Sequence, residues 1–169
     1  MSSPLADLVA GFQDLVAQLP GPLQPLAVAA AGAVPFVEGE GAAAIGILGG
    51  VHPIVAAVAA ATGNFVCVTL LVLLGAGVRT AATAGRGGGG APEPSPRRQK
   101  FQRAFTKYGV PGVSLLGPLL LPTHFTAVML AGAGVARGRI LAWQAVAIAG
   151  WTTVFTLLAT GVLSAVWGR

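Results

Sequence analysis

The stretch PFVEGEG, residues 35–41, places two carboxylates, Glu38 and Glu40, in the middle of a long apolar run. Apart from these two, no Asp, Glu, Lys or Arg occurs between Asp14 and Arg79. A charged group at bilayer depth costs about 2.5–3.5 kcal/mol on insertion scales, so an ionisable residue there is a candidate for function. Glu38 and Glu40 are therefore the first candidate site residues.

The same stretch disfavours a continuous helix. Pro35 removes a backbone donor, and Gly39 and Gly41 add conformational freedom to the chain. Irregular backbone at membrane depth is tolerated only where protein or a watery cavity covers it. The arms on either side, residues 23–36 and 41–50, are each shorter than the ~20 residues that span a bilayer. The pattern predicts a broken helical hairpin that enters the membrane and returns, with the glutamates near its tip.

The composition of the whole chain is typical of a membrane protein. Its 169 residues are 54% hydrophobic and 9% charged, whereas about 25% charged residues are usual in soluble domains. The net charge of +5 is concentrated in one segment, which argues against a nucleic-acid-binding surface. The single cysteine, Cys67, cannot form an intrachain disulfide and is interpreted as a small buried hydrophobe.

Two segments, residues 52–78 and 139–166, are long and apolar enough to cross a bilayer completely. Asn64 lies near the middle of the first. A polar contact between helices and a place in the wall of a cavity both explain an asparagine at this depth. We keep Asn64 as a candidate site residue.

Residues 109–135 are also apolar, but three prolines interrupt them, among them Pro118 and Pro122. They predict a second broken hairpin. Thr123 and His124 follow its last proline and are candidate site residues. Histidine titrates near physiological pH, so His124 is interpreted as a proton carrier, an anion contact or a satisfied interior side chain.

Two further segments have amphipathic or basic character. Residues 5–19 place their apolar side chains on one stripe, which predicts a helix in the membrane interface or on the protein's own rim. Residues 79–107 predict a Gly/Pro-rich linker and then a basic helix at about 97–107, either on the membrane surface or solvated. The glycine run at 87–90 is not a phosphate loop, because no Gly-Lys-Ser/Thr follows it.

The order of broken hairpin, span, basic linker, broken hairpin and span predicts an internal repeat. If all four apolar segments cross and the linker is cytoplasmic, Arg137 and Arg139 lie outside. If the two hairpins return to the side from which they enter, nine of the ten Lys and Arg residues lie inside. The positive-inside rule favours this second topology, in which the two halves have opposite orientations.

We therefore predict an all-α integral membrane protein with two membrane re-entrant helical hairpins and two full transmembrane helices in inverted-repeat arrangement, plus amphipathic interfacial helices. Its parts are an N-terminal segment (1–22), a first repeat (23–78), a cytoplasmic linker (79–107) and a second repeat (108–169). Broken segments at corresponding positions of inverted halves point to a binding site near the midplane, where both hairpin tips would meet.

Several short, glycine-rich motifs carry a resemblance to a known family. They are Glu38-Gly39-Glu40-Gly41-Ala42 with Gly46, Gly63-Asn64, Tyr108-Gly109-Val110-Pro111 through Pro122, and Ala131-Gly132. Over residues 25–165 the chain resembles the bacterial small multi-drug export proteins, which look like distant relatives of the DedA membrane proteins. The resemblance implies a bacterial inner-membrane protein with two re-entrant loops. Through the DedA relatives, it also implies a role in recycling polyprenyl-phosphate lipid carriers and in proton-dependent membrane homeostasis and drug tolerance.

The chain departs from the family pattern at two places. The first-loop acid of these families maps onto Glu38, but a basic residue often stands where this chain has Glu40. The second loop of DedA proteins carries arginines in a Gly-Arg-Phe-x-Pro pattern, whereas here Pro118 follows Gly117 and only His124 can become cationic. This loss weakens the expectation of phosphate binding, because a phosphate favours a bidentate guanidinium.

The first functional hypothesis is a proton-coupled transporter or flippase without cofactors. Two neighbouring carboxylates in a low dielectric cannot easily both ionise, so one of them can load and release a proton. The substrate is a lipid-linked phosphate or an amphipathic cation. The alternative is a non-transporting scaffold or an accessory subunit of a larger envelope complex, with a homodimer also plausible. In that case Glu38 and Glu40 accept hydrogen bonds from helix N–H groups.

An enzyme and a metal site are not expected. No Ser-His-Asp order is recognisable, and His52 and His124 lack the H-E-x-x-H spacing that would join them to the glutamates as ligands. The partners expected are membrane lipids and protons, together with the transported substrate.

Overall fold

The computed structural model describes residues 7, 11, 14–16, 18–84, 96–119 and 121–167. Within these ranges the backbone forms helices and turns and contains no strand, so the all-α prediction is confirmed there. The helices are α1 (Gln24–Gly32), α2 (Glu38–Leu48), α3 (Pro53–Ala84), α4 (Pro96–Leu116), α5 (Thr123–Gly132) and α6 (Arg137–Trp167). Short 3-10 turns at Gly21–Leu23 and Gly117–Leu119 precede α1 and follow α4.

Two of these helices are long and apolar enough to cross a membrane. The apolar part of α3, Pro53–Leu74, has 22 residues, and that of α6, Arg137–Val162, has 26. At 1.5 Å per residue, ~20 residues cover the ~30 Å hydrocarbon core. Both coincide with the predicted full spans. Large apolar side chains such as Leu74 and Leu157 lie exposed on them, which suits a surface that faces lipid.

The first hairpin consists of α1 and α2, which pack against each other across a connection of five residues, 33–37. The amides of Val37 and Glu38 both donate to the carbonyl of Val34, at 3.2 and 3.0 Å. The sequence predicts the break of the helix around residues 35–41. The structure has it at residues 33–37, a few residues earlier. Gly39 and Gly41 lie in the first turn of α2, where the first N–H groups of a helix have no partner within it.

Glycines let this hairpin approach α3 closely. A β-carbon on Gly63 would overlap the carbonyl oxygen of Ala29, and one on Gly32 would overlap that of Ala60. Small residues at such crossings allow two helix backbones to touch, as in many membrane proteins. The pair Gly63 and Asn64 thus combines a close helix crossing with a buried amide.

The N-terminal segment contributes to the same core. The predicted helix at 5–19 lies partly outside the described residues, but residues 14–16 are helical. Val16 is fully buried, and its Cγ1 is 2.9 Å from the place of a β-carbon on Gly49. At Val16, therefore, the segment packs on the protein's own rim.

The second hairpin begins inside α4, which has non-helical backbone at Gly109 (φ 65°, ψ −167°). This break separates the basic part of α4, which confirms the helix predicted at 97–107, from an apolar arm that packs against α5. Pro118 lies in the 3-10 turn between the arms, and Pro122 directly precedes α5. Residues 85–95 of the predicted linker, including the glycine run, lie outside the described residues.

Lys107 and Tyr108 stand next to this break. The Lys107 ammonium nitrogen is 5.0 Å from the centre of the Tyr108 ring. A side-chain hydrogen bond and the electrostatic interaction with Tyr108 raise the pKa of Lys107 above its usual range.

The two hairpins end in the same way. Gly50 and Gly134 adopt left-handed backbone, with φ of 87° and 86°, 84 residues apart. The amide of Val51 donates to the carbonyl of Gly46, and that of Val135 donates to Leu130, again 84 residues on. Left-handed glycine after a helix is a common way to satisfy its last carbonyls. After each of these turns the chain enters a long helix.

The two long helices also bury corresponding positions. Each has a buried stripe with one residue at every fourth position, and the two stripes are 84 residues apart. They are Ala56, Ala60, Asn64, Val68 and Val72 on α3, and Ile140, Gln144, Ile148, Thr152 and Thr156 on α6. The stripe on α6 carries three polar side chains, and the stripe on α3 carries one.

The chain forms two compact units, residues 1–66 with 148–169, and residues 67–147. The first unit holds the first hairpin, the beginning of α3 and the end of α6. The second holds the end of α3, the second hairpin and the beginning of α6. The units divide the chain differently from the predicted sequence repeats, because each long helix contributes to both.

Candidate functional site

Glu38 opens α2 in an unusual backbone conformation. Its φ is 52°, and Phe36, two residues earlier, has a φ of 73°. Left-handed backbone costs an L-residue with a side chain about 1–2 kcal/mol. Such strain persists only where surrounding structure enforces it, and it concentrates at functional sites. Of these two residues with left-handed backbone, Glu38 is buried, with 6% of its surface exposed, and Phe36 is 69% exposed.

The first turn of α2 lies against two buried polar side chains. A β-carbon on Gly39 would overlap the hydroxyl oxygen of Thr152 and would lie 3.7 Å from the amide nitrogen of Asn64. Asn64 is 0% exposed and Thr152 is 1% exposed. All of these residues belong to the first unit. The structure therefore brings Asn64, on α3, and Thr152, on α6, to the residue that separates Glu38 from Glu40.

The hydroxyl of Thr152 differs from those of exposed threonines. Thr62 donates to Val58 O at 2.6 Å, and Thr153 donates to Ala149 O at 2.7 Å, so both satisfy their hydroxyls within their own helix. Among the described residues, Oγ1 of Thr152 is buried and has no hydrogen-bond partner, and the same holds for Thr156 one turn later. A buried polar group left unsatisfied costs about 1–3 kcal/mol.

The charge balance of the first unit is one-sided. Residues 1–66 and 148–168 contain no lysine or arginine. A buried carboxylate in such surroundings needs a proton, a cation or strong hydrogen-bond donors to offset its lost hydration. We give the polar candidate residues of the first unit one name, the acidic cluster: they are Glu38, Glu40, Asn64, Thr152 and Thr156.

The second unit holds a separate group of buried polar residues. Thr123, His124 and Thr126 lie in the first turn of α5 and are at most 2% exposed. Oγ1 of Thr126 is 3.1 Å from the place of a β-carbon on Gly117. Ser114 and Gln144 are both 0% exposed, and within the described chain neither the Ser114 hydroxyl nor the Gln144 amide has a hydrogen-bond partner.

The predicted site residues thus fall into two groups. Glu38, Glu40 and Asn64 lie in the first unit, and Thr123 and His124 lie in the second. Sequence reasoning missed the hydroxyls of Thr152 and Thr156 and the amide of Gln144. Their spacing of four or eight residues along one face of an apolar helix was the available signal.

Neither histidine assembles a metal centre in the described residues. His52 is exposed, and its Nδ1 accepts the amide of Ile54 at 3.3 Å, at the start of α3. In the described part of the chain, no group of three His, Cys, Asp or Glu residues is placed to hold a metal ion. His124 is 2% exposed, on the second hairpin.

No protein-family model, no curated protein and no solved structure matches this chain. The similarity to small multi-drug export proteins that its motifs indicate therefore stays a prediction. The function has to be argued from the acidic cluster, the polar residues of the second unit and the arrangement of the helices.

Proposed function

We propose that this protein is a small membrane transporter or flippase in which Glu38 binds and releases a proton during transport. The observation that carries the proposal is a buried carboxylate on strained backbone, in a unit without lysine or arginine before its last residue. A buried carboxylate that has no lysine or arginine in its unit to balance its charge is suited to reversible protonation. For a cationic substrate, the coupling acid and the substrate site then share the first hairpin.

Three correspondences support an inverted repeat as the framework of transport. The two hairpins end in the same hydrogen-bonded turn, the long helices bury stripes 84 residues apart, and each unit combines one hairpin with parts of both long helices. Neither α1, with 9 residues, nor α2, with 11, is long enough to span a bilayer, which supports a hairpin that returns. The distribution of basic residues supports opposite orientations.

Two substrate classes remain in the proposal. The acidic cluster contains carboxylates, hydroxyls and an amide but no basic group, which favours an amphipathic cation. The family resemblance favours a polyprenyl-phosphate-type lipid carrier. Its phosphate would need donors such as Thr123 and His124.

The test is transport by the purified protein in liposomes with an imposed proton gradient. A fluorescent amphipathic cation and a short-chain polyprenyl phosphate serve as substrates in separate assays. We expect wild-type protein to move one of them faster when the gradient is present. Glu38→Gln should lose this acceleration, because glutamine keeps the shape of the side chain but cannot carry a proton.

Asp14→Asn is the matched control, since Asp14 is an exposed acid of the same unit. It should transport like wild type. Normal transport by Glu38→Gln with an unchanged dependence on pH would show that the acid is structural. If wild-type protein moves neither substrate, the alternative of a scaffold or accessory subunit is favoured.

A further inference from the structure

The helix before the second hairpin carries half of the basic residues of the chain. This part of α4, residues 96–108, contains five of the ten Lys and Arg residues, and no Asp or Glu follows Glu93 anywhere in the chain. We call it the basic helix. The segment before the first hairpin, residues 1–22, has the opposite sign, with Asp7 and Asp14 and no Lys or Arg. The two hairpins are thus preceded by segments that suit differently charged surroundings.

The basic helix has two distinct faces near its end. Arg103 and Lys107 are four residues apart, so they are neighbours on one face, and both are exposed. Phe105 lies about 200° around the helix from each of them and is half-buried. Tyr108 shares the face of Phe105, three residues on, and is 48% exposed. Aromatic rings on one face and cations on the other are typical of helices that lie in a membrane interface.

A break at Gly109 joins this helix to the second hairpin. Gly109 has a φ of 65°, which residues with a side chain rarely adopt, and the apolar arm beyond it packs against α5. Lys107 and Tyr108 directly precede the break, with the ammonium nitrogen 5.0 Å from the ring centre. Tyrosine and lysine are common anchors at the boundary between membrane and water. The basic helix therefore ends where the chain turns into the hairpin.

We propose that the basic helix lies along the membrane surface and binds the anionic headgroups of the lipids that surround the second hairpin. Charge complementarity selects this partner, since Lys and Arg beside a membrane are attracted to anionic lipids. A nucleic acid would use the cations but would leave the aromatic face in water. The inference goes beyond the proposed function, because it concerns a lipid-binding surface of the second unit and does not require Glu38 to carry a proton.

Nitroxide spin labels on single cysteines test the orientation of the helix in the full-length protein. Phe105→Cys and Arg103→Cys are made in a Cys67→Ala background and reconstituted into vesicles of phosphatidylcholine, alone or in equal mixture with phosphatidylglycerol. Collisions with oxygen, which dissolves in lipid, and with a water-soluble nickel chelate report the depth of each label. With phosphatidylglycerol, we expect the label at position 105 to meet oxygen and the label at position 103 to meet the chelate.

The dependence on charge has a matched control. Arg103→Gln/Lys107→Gln removes two charges from the basic helix, and Arg137→Gln/Arg139→Gln removes two exposed charges at the beginning of α6. Each cation near an anionic surface favours binding about fivefold, so the first double variant should weaken the preference for phosphatidylglycerol about 30-fold. The label at position 105 should then become accessible to the chelate, whereas the control should keep it protected.

Arg103→Lys/Lys107→Arg keeps both charges and should also keep the label protected, which separates a lost charge from a damaged fold. Equal access of the chelate to both labels with phosphatidylglycerol would overturn the inference, because the helix would then be solvated. Equal protection at position 105 in the two kinds of vesicle would contradict binding of anionic lipid. Equal loss of protection in the two glutamine double variants would exclude this helix as the binding surface.

Discussion

At the scale of single residues, Gly39 is the position where the first turn of α2 lies against Thr152 and Asn64 of the acidic cluster. It separates Glu38 from Glu40 and lies where any side chain would overlap the hydroxyl oxygen of Thr152. The strained backbone of Glu38 is thus followed directly by a residue that must remain small. The contact of Gly39 with Thr152 packs the first turn of α2 against α6.

We predict that Gly39→Ala destabilises the folded protein by about 1–3 kcal/mol, the usual cost of overpacking a core. Gly41→Ala is the control, because its β-carbon would meet only Val37 Cγ1 at 3.4 Å, an ordinary contact. Alanine is favoured over glycine inside helices, so Gly41→Ala should be neutral or stabilising by up to about 1 kcal/mol. Melting temperatures in detergent measure both effects.

A second substitution tests the cause of the Gly39 effect. Thr152→Ala removes the oxygen that the new methyl group would overlap, so the double variant Gly39→Ala/Thr152→Ala should recover most of the lost stability. A double variant that is less stable than either single variant would locate the strain elsewhere.

Sequence reasoning identified the acids of this cluster but not its hydroxyls. Glu38 and Asn64 are conspicuous, because charge and amide groups are rare in long apolar segments. Threonine is different, since it can satisfy its hydroxyl on its own helix, as Thr153 does. Only the fold reveals that Thr152 is buried and faces Gly39 instead.

At the scale of elements, the first hairpin is fixed by contacts between backbones. The β-carbon that Gly63 lacks would overlap the carbonyl oxygen of Ala29, so α1 and α3 touch without intervening side chains. Such a crossing cannot be relieved by a rotamer change, since one partner is main chain. We therefore regard the contact of α1 with α3 as the most substitution-sensitive packing in the first unit.

Gly63→Ala should accordingly destabilise the protein by at least about 2 kcal/mol, near the upper end of the overpacking range. Gly161→Ala on α6 provides the control, since a β-carbon there meets nothing within 4 Å. That control should match or exceed wild-type stability. If both glycine variants melted like wild type, α1 and α3 would not cross as closely as described.

Element boundaries were predicted well for the long helices and less well at the hairpin tip. Apolar length is a property of the sequence, so the two spans were clear. The beginning of α2 was not predicted correctly, because Gly39 and Gly41 were interpreted as helix breakers. Inside the first turn glycine is tolerated, and at position 39 tight packing requires it.

At the scale of the whole molecule, each of the two units draws on both long helices. The sequence predicted the order of hairpins and spans, but it could not show this division, which depends on contacts between distant segments. The corresponding turns at Gly50 and Gly134 and the matching buried stripes became visible only from backbone geometry and burial. They are the strongest support for two related halves.

The central claim is that both hairpins return to the side of the membrane from which they enter. Single cysteines at Gly21 and Gly138, in a Cys67→Ala background, test it with a membrane-impermeant thiol reagent on intact cells. Both glycines are exposed, and a β-carbon on either meets nothing within 4 Å, so both substitutions should be tolerated. We predict labelling at position 21 from outside and at position 138 only after the cytoplasmic face is opened. If all four apolar segments crossed, both results would be reversed, and labelling of position 138 in intact cells would contradict the account.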